Sequence, residues 1–121
     1  MIARMWSGDV LSEKSDDFFN YMLKTGVNDC TLAEGNLGVL ILKDSKDIVT
    51  KFKFISFWKN KEFMFKFFKS DSDYAFLYPE DKKYLLSIEE RVKFTEAYLY
   101  DCYKTRKEFD DILQLPPHVT I

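Results

Sequence analysis

Few side chains of this chain are equipped for chemistry, and their placement excludes more reactions than it allows. His118 is the only histidine and lies near the end of the sequence. Neither a serine–histidine nor a cysteine–histidine nucleophile can then form in the body of the domain, and a histidine-rich metal site is excluded with them. Cys30 and Cys102 lack metal-ligand spacing and read as free thiols rather than a bridge. The glycines, at 8, 26, 35 and 38, form no phosphate loop, and acidic pairs such as Asp16-Asp17 and Asp110-Asp111 are scattered. What remains is a set of polar groups among aromatic ones. Arg4 shares strand parity with Ile2 and Trp6, which puts a cation at an apolar wall. Ser56 is the small member of the file Phe52, Phe54, Ser56, Trp58 and leaves space there. Tyr78 precedes Pro79, Glu80 and Asp81, whose carboxylates offer acid–base groups. Each has a plain structural alternative: an ion-paired or exposed Arg4, core-filling tryptophans, a Ser56 that accommodates a helix phenylalanine, and a simple turn over 78–81.

These residues need elements to hold them. IARMW, residues 2–6, reads as a short strand ended by Ser7-Gly8-Asp9. Ser12 is placed to cap a helix that Gly26 would end in a left-handed conformation. Phe18, Phe19, Met22 and Leu23 share a face of that helix. LGVLILK after Asn36, a turn over DSKD at 44–47, and the strand from Ile48 to Trp58 make a hairpin. Asn60 caps a second helix whose Phe63, Met64, Phe67 and Phe68 repeat the spacing of the first at an offset of 63 − 18 = 45, which suggests an internal duplication. Residues 70–83 form a polar, turn-rich connection, and a last strand runs from Val92 to Tyr100. The order is β-α-β-β-α-β, an α+β, ferredoxin-like arrangement with a four-stranded antiparallel sheet and both helices on one face.

In the strand to Trp58 the parity of Phe52, Phe54, Ser56 and Trp58 suits the helix side, while Val49, Ile55 and Phe57 face the other way among Lys51 and Lys53. The preceding strand is apolar on both parities, so a sheet covered on one face would expose more apolar surface than a soluble monomer tolerates. A second copy is the simplest cover, giving a two-fold homodimer. Residues 1–100 make this domain. Residues 101–121 lie outside it, as a short helix and an extended tail ended by Pro116-Pro117.

Composition narrows the partners. The chain has 121 residues, 46% hydrophobic and 31% charged, with no apolar run near the ~18 residues of a membrane span, so a soluble, cytoplasmic protein without a membrane partner is expected. Eighteen basic against twenty acidic residues lack the excess that a phosphate backbone requires. An RNA-recognition module shares the element order, but KFKFISFW has no glycine, and its aromatics occupy the helix-side parity. No nucleic acid is expected.

MIARMWSG at the start, SFWKNKEFMFKF at the strand-to-helix junction and YPEDKKYLL before the last strand, in this order, resemble the antibiotic biosynthesis monooxygenase-like family over residues 1 to about 100. The resemblance implies a ferredoxin-like protomer paired through its sheet into a dimeric α/β barrel, with a ligand cavity between sheet and helices. Relatives of this kind oxidise polycyclic aromatic compounds with O2 and no cofactor, or degrade haem. Haem-degrading members use an asparagine near the end of strand 1, a tryptophan on helix 2 and a histidine after it. Here Trp6-Ser7, Phe67 and the histidine-free YAFLYPED stand at those places. The iron ligand is missing, so no cofactor and no metal is expected. A cofactor-free oxygenase asks only for a dry cavity and a few polar groups, because the deprotonated substrate itself reduces O2.

The resulting expectation is a small-ligand-binding barrel, a cofactor-independent monooxygenase of an aromatic or polyketide-like substrate, with Arg4, Trp6, Phe54, Ser56, Trp58, Phe67 and Tyr78 around the ligand and no catalytic residue assigned. The alternative is a non-catalytic sensing or assembly protein whose phenylalanines fill its own cavity. A space of about 300 Å3 between sheet and helices separates the two.

Overall fold

The computed structural model describes residues 1–100; the helix and tail expected over 101–121 lie outside the described residues. The elements are β1 (Ile2–Leu11), α1 (Ser15–Met22), α2 (Asn28–Thr31), β2 (Asn36–Ser45), β3 (Val49–Trp58), α3 (Lys61–Phe68), α4 (Asp81–Tyr84) and β4 (Lys93–Glu96). The strands form one antiparallel sheet in the order β2-β3-β1-β4. Each strand–helix–strand unit therefore brackets a strand of the other, an α+β arrangement compatible with a ferredoxin-like fold. Among the described residues no helix is long and apolar enough to cross a membrane.

β3 decides which face is inside. Phe52, Ser56 and Trp58 are buried and Phe54 half-buried, whereas Lys51 and Lys53 on the other parity are exposed. Opposite them β1 places Arg4 against Ser56, Trp6 against Phe54 and Gly8 against Phe52. The helices close over this face as two clusters. Phe18 and Met22 of α1 pack with Trp6, Val10 and Phe52, while Met64 of α3 and Cys30 of α2 pack with Trp58. Full burial of Trp58 alone contributes roughly 3 kcal/mol. Phe54 touches both clusters and marks the seam between them.

Several expectations are corrected. β1 does not stop at Ser7-Gly8-Asp9 but pairs with β3 through Leu11. Gly8 is there because Trp6 lies across it: a Cβ at Gly8 would come within 2.4 Å of the indole and 2.8 Å of Leu85. Ser12 caps no helix; its hydroxyl donates to the Lys46 carbonyl at 2.6 Å and meets Thr50 Oγ1 at 2.9 Å, tying β1 to the hairpin. Gly26 ends nothing. The chain continues from α1 through a wide π turn, Leu23–Val27, into α2, and the left-handed glycine is Gly35, at φ 80°, after it. Leu23 is 42% exposed, not buried. At 100° per residue it lies 140° around the helix from Phe18, at the rim of the apolar arc, while Met22 lies only 40° away.

α3 follows expectation: Asn60 Oδ1 accepts the Phe63 backbone N–H at 3.0 Å, and Met64 is buried. The helix ends with Lys69 in the left-handed region at φ 53°. The 45-residue repeat does not extend to packing, because Leu23 is exposed where its counterpart Phe68 is half-buried. β4 is shorter than Val92–Tyr100. Its pairing ends at Ile2–Glu96, and Tyr98 and Tyr100 are exposed.

The excursion between α3 and β4 is closed at its neck by the Ala75 N–H to Glu90 and Val92 N–H to Asp73 bonds and by an Arg91–Asp73 ion pair. It is pinned to the far half of β1 by the Leu86 N–H to Asp9 carbonyl bond at 2.9 Å. Residues 76–81 are thereby held over the seam in the core.

Candidate functional site

A cavity of about 60 Å3 lies at that seam. Its floor is the sheet, with Arg4, Trp6 and Phe54. Its roof is the helical segment, with Met22, Thr25, Gly26 and Cys30. Phe67 and Phe68 of α3 close one side, and Phe76, Tyr78 and Asp81 close another. Gly26 is required here for contact rather than for backbone freedom, since a Cβ would come within 3.2 Å of the Phe54 ring.

Beyond the aromatic side lies an outer pocket of about 440 Å3, lined by Asp29, Leu32, Ala33 and Lys69. Phe67, Phe68, Phe76 and Tyr78 line both spaces and form the wall between them. They are stacked on one another: Phe67 and Phe68 at 4.8 Å, Phe68 and Phe76 at 6.2 Å, Phe76 and Tyr78 at 5.2 Å between centroids. Such edge and tilted contacts hold rings in place without interlocking them.

The polar groups of the cavity are strongly perturbed by burial. Arg4 is 7% exposed; desolvation lowers its guanidinium to about 10, with the Cys30 charge opposing. The guanidinium lies over the Phe68 ring at 3.8 Å and donates one hydrogen bond, to the Tyr74 carbonyl oxygen at 3.3 Å. Burial pushes the Cys30 thiol up to about 12, Arg4 pulling it down and Asp29 raising it further. The Tyr78 phenol donates to Asp29 Oδ2 at 2.6 Å, and burial together with that bond raises its pKa. Burial also raises Asp81, whose Oδ2 accepts the Tyr78 backbone N–H at 2.7 Å, a bond that opposes the rise. At neutral pH the site thus holds a cation, a neutral thiol and a neutral phenol. The thiol and the phenol are poor nucleophiles there. Asp81 is the carboxylate on the cavity wall.

Of the residues expected around a ligand, Arg4, Trp6, Phe54, Phe67 and Tyr78 line this one cavity. Ser56 and Trp58 do not. Ser56 is buried, and its hydroxyl accepts the Trp58 indole N–H at 2.9 Å, so the small residue makes room for a hydrogen bond within the core rather than for a ligand. Trp58 is wedged against Phe67 and Phe68 at 5.2 and 5.9 Å. Sequence reasoning missed Cys30, Gly26, Phe68, Phe76 and the place of Asp81 on the wall. Phe18, Met22, Gly26 and Cys30 follow one another at intervals of four, a signal for one continuous helical face that the assumed stop at Gly26 hid. Among the described residues there is no cluster of three or more histidine, cysteine or acidic side chains able to hold a metal.

No family model and no curated protein sequence matches this chain.

Proposed function

We propose that this protein binds a small aromatic or otherwise apolar ligand between its sheet and its helices, and that it works as a homodimer of the dimeric α/β-barrel type. The observation that carries the binding reading is the ring wall shared by the inner cavity and the outer pocket. The outer pocket, about 440 Å3, is of ligand size, and only these rings separate it from the inner cavity. The dimer reading is supported by the sheet face that no described helix covers, where Met5, Leu40, Ile55 and Phe57 are only half-buried and Leu42 is exposed. Leu40, Phe57, Tyr98 and Tyr100 line part of a groove of about 940 Å3 that also reaches Val27 and Thr31 of the helical segment. A surface of this kind fits a self-complementary partner.

Cofactor-independent monooxygenation is the activity we assign to the site on the resemblance described above. In such a reaction an activated CH2 of the substrate gives up a proton, and the carbanion reduces O2. One oxygen becomes the product carbonyl and the other leaves as water, so the substrate supplies all the electrons. Asp81 is the wall group suited to take the proton, its pKa raised by burial. A second reading is favoured by one observation: the inner cavity, about 60 Å3, is well below the roughly 300 Å3 of a ligand pocket. On that reading the protein senses a ligand or serves assembly without catalysis.

An oxygen-consumption screen with quinol-type and polyphenol substrates in metal-free buffer separates the two. The oxygenase reading expects turnover that Asp81→Asn abolishes; no uptake with any substrate leaves binding alone. Light scattering tests the dimer, which a monomer at micromolar concentration would refute.

A further inference from the structure

Two donor side chains at the cavity have bonding capacity to spare among the described residues. Arg4 takes part in no ion pair among the described residues and donates a single hydrogen bond to protein. Its face is used by Phe68, at 3.8 Å. A guanidinium carries its N–H donors in its plane, so stacking on that face leaves the edge free for a further partner. Two residues along the same face of β1 stands Trp6, 9% exposed, whose indole Nε1 has no hydrogen-bond partner. Both residues line the cavity. A buried donor without an acceptor, as at Trp6, is rare in native proteins, and a largely buried cation such as Arg4 normally has a counter-ion. Neither neighbouring carboxylate is ion-paired with Arg4. Asp29 accepts the Tyr78 phenol, and Asp81 accepts the Tyr78 backbone N–H.

We propose that the ligand carries a carboxylate or an equivalent planar oxyanion, which takes the free edge of Arg4 and the Trp6 indole N–H while its apolar body lies in the Phe67, Phe68, Phe76 and Tyr78 wall. This deepens the ligand-site reading and rests on it. A planar monoanion fits better than a phosphate, because one cation and one neutral donor satisfy two oxygens and a single charge. The inner cavity has room for such a head group and not for a ring system.

Calorimetric titration of the full chain near neutral pH with benzoate, with its neutral isostere benzamide, and with 1-naphthol as a neutral aromatic tests this. Benzoate is expected to bind about tenfold or more tightly than benzamide, the scale of one charge-assisted contact. Arg4→Gln should erase that preference, and Arg4→Lys, which keeps the charge but loses the fork, should retain part of it. Trp6→Phe should weaken benzoate severalfold and leave benzamide unchanged. Circular dichroism checks each variant; if Arg4→Gln fails to fold, Arg4→Lys and Trp6→Phe still decide. Equal binding of benzoate and benzamide, or a benzoate preference untouched by the Arg4 variants, overturns the anion proposal and leaves the ligand site standing. Absence of binding by all three compounds overturns both.

Discussion

Replacing Arg4 by methionine should make the protein more stable while removing its grip on an anion. The methionine side chain keeps an unbranched stem beside Phe94, the cross-strand partner of Arg4, and discards the charge. Burial lowers the guanidinium from 12.5 to about 10. At about 1.4 kcal/mol per pKa unit this corresponds to roughly 3 kcal/mol of unfavourable desolvation at neutral pH. The sign follows from the depressed value: the unfolded chain holds the proton more tightly, so the penalty is present at neutral pH and lifts only as pH rises from about 10 towards 12.5. Against it stand the Phe68 contact at 3.8 Å, about 1–2 kcal/mol when desolvated, and the long bond to the Tyr74 carbonyl, less than about 1 kcal/mol. That bond is only partly buried, so the carbonyl keeps access to water when the donor is lost. The balance is a gain of about 1 kcal/mol, or roughly 4 °C in Tm for a domain of this size. Urea denaturation followed by far-ultraviolet circular dichroism reads it as a higher midpoint at unchanged slope. A loss of more than about 1 kcal/mol would refute the reasoning, for it would mean that Arg4 holds the fold together rather than serving a ligand at the fold's expense.

Ser56→Ala should cost about 1–2 kcal/mol in the same assay, because it strands the buried Trp58 indole N–H, and it should leave ligand affinity unchanged, since Ser56 lies outside the cavity. Gly35→Ala should cost about 2–4 kcal/mol: the residue sits at φ 80°, and its Cβ would fall 2.3 Å from the Phe63 ring, so a native-like urea midpoint would contradict the packing. Phe57→Glu puts a charge on the open sheet face and should turn a dimer into a monomer by sedimentation, with the circular dichroism spectrum kept. In a Cys102→Ser background the Cys30 thiol, pushed up to about 12 from 9.0, should resist iodoacetamide near pH 8 until urea unfolds the chain. Its raised value also means that stability is full below about pH 9 and falls as pH climbs towards 12.

What could be read from the sequence was whatever follows from period and parity. The alternation Phe52, Phe54, Ser56, Trp58 placed one face of β3 inside because the side-chain period of a strand is two and the lysines of the other parity need water. The Asn60 cap and the Phe63 to Phe68 arc placed α3 for the same kind of reason. Reading failed where a small or polar residue serves a tertiary contact while looking like local punctuation. Ser7-Gly8-Asp9 resembles a turn, yet Gly8 is small so that Trp6 can lie across it. Gly26 resembles a helix stop, yet it is small so that Phe54 can approach, and the backbone there runs on through a π turn instead of ending. These errors are not independent of the site. Gly8 decides where the Trp6 ring lies, and Gly26 decides how near the roof comes to Phe54, so the floor and roof of the cavity are shaped by the two glycines whose role local propensity misstates. Arg4 then occupies the one seam that two apolar clusters leave open. Local rules have no reason to place there a buried cation with no ion pair among the described residues, and that makes the seam the part of the molecule where a ligand explains the most.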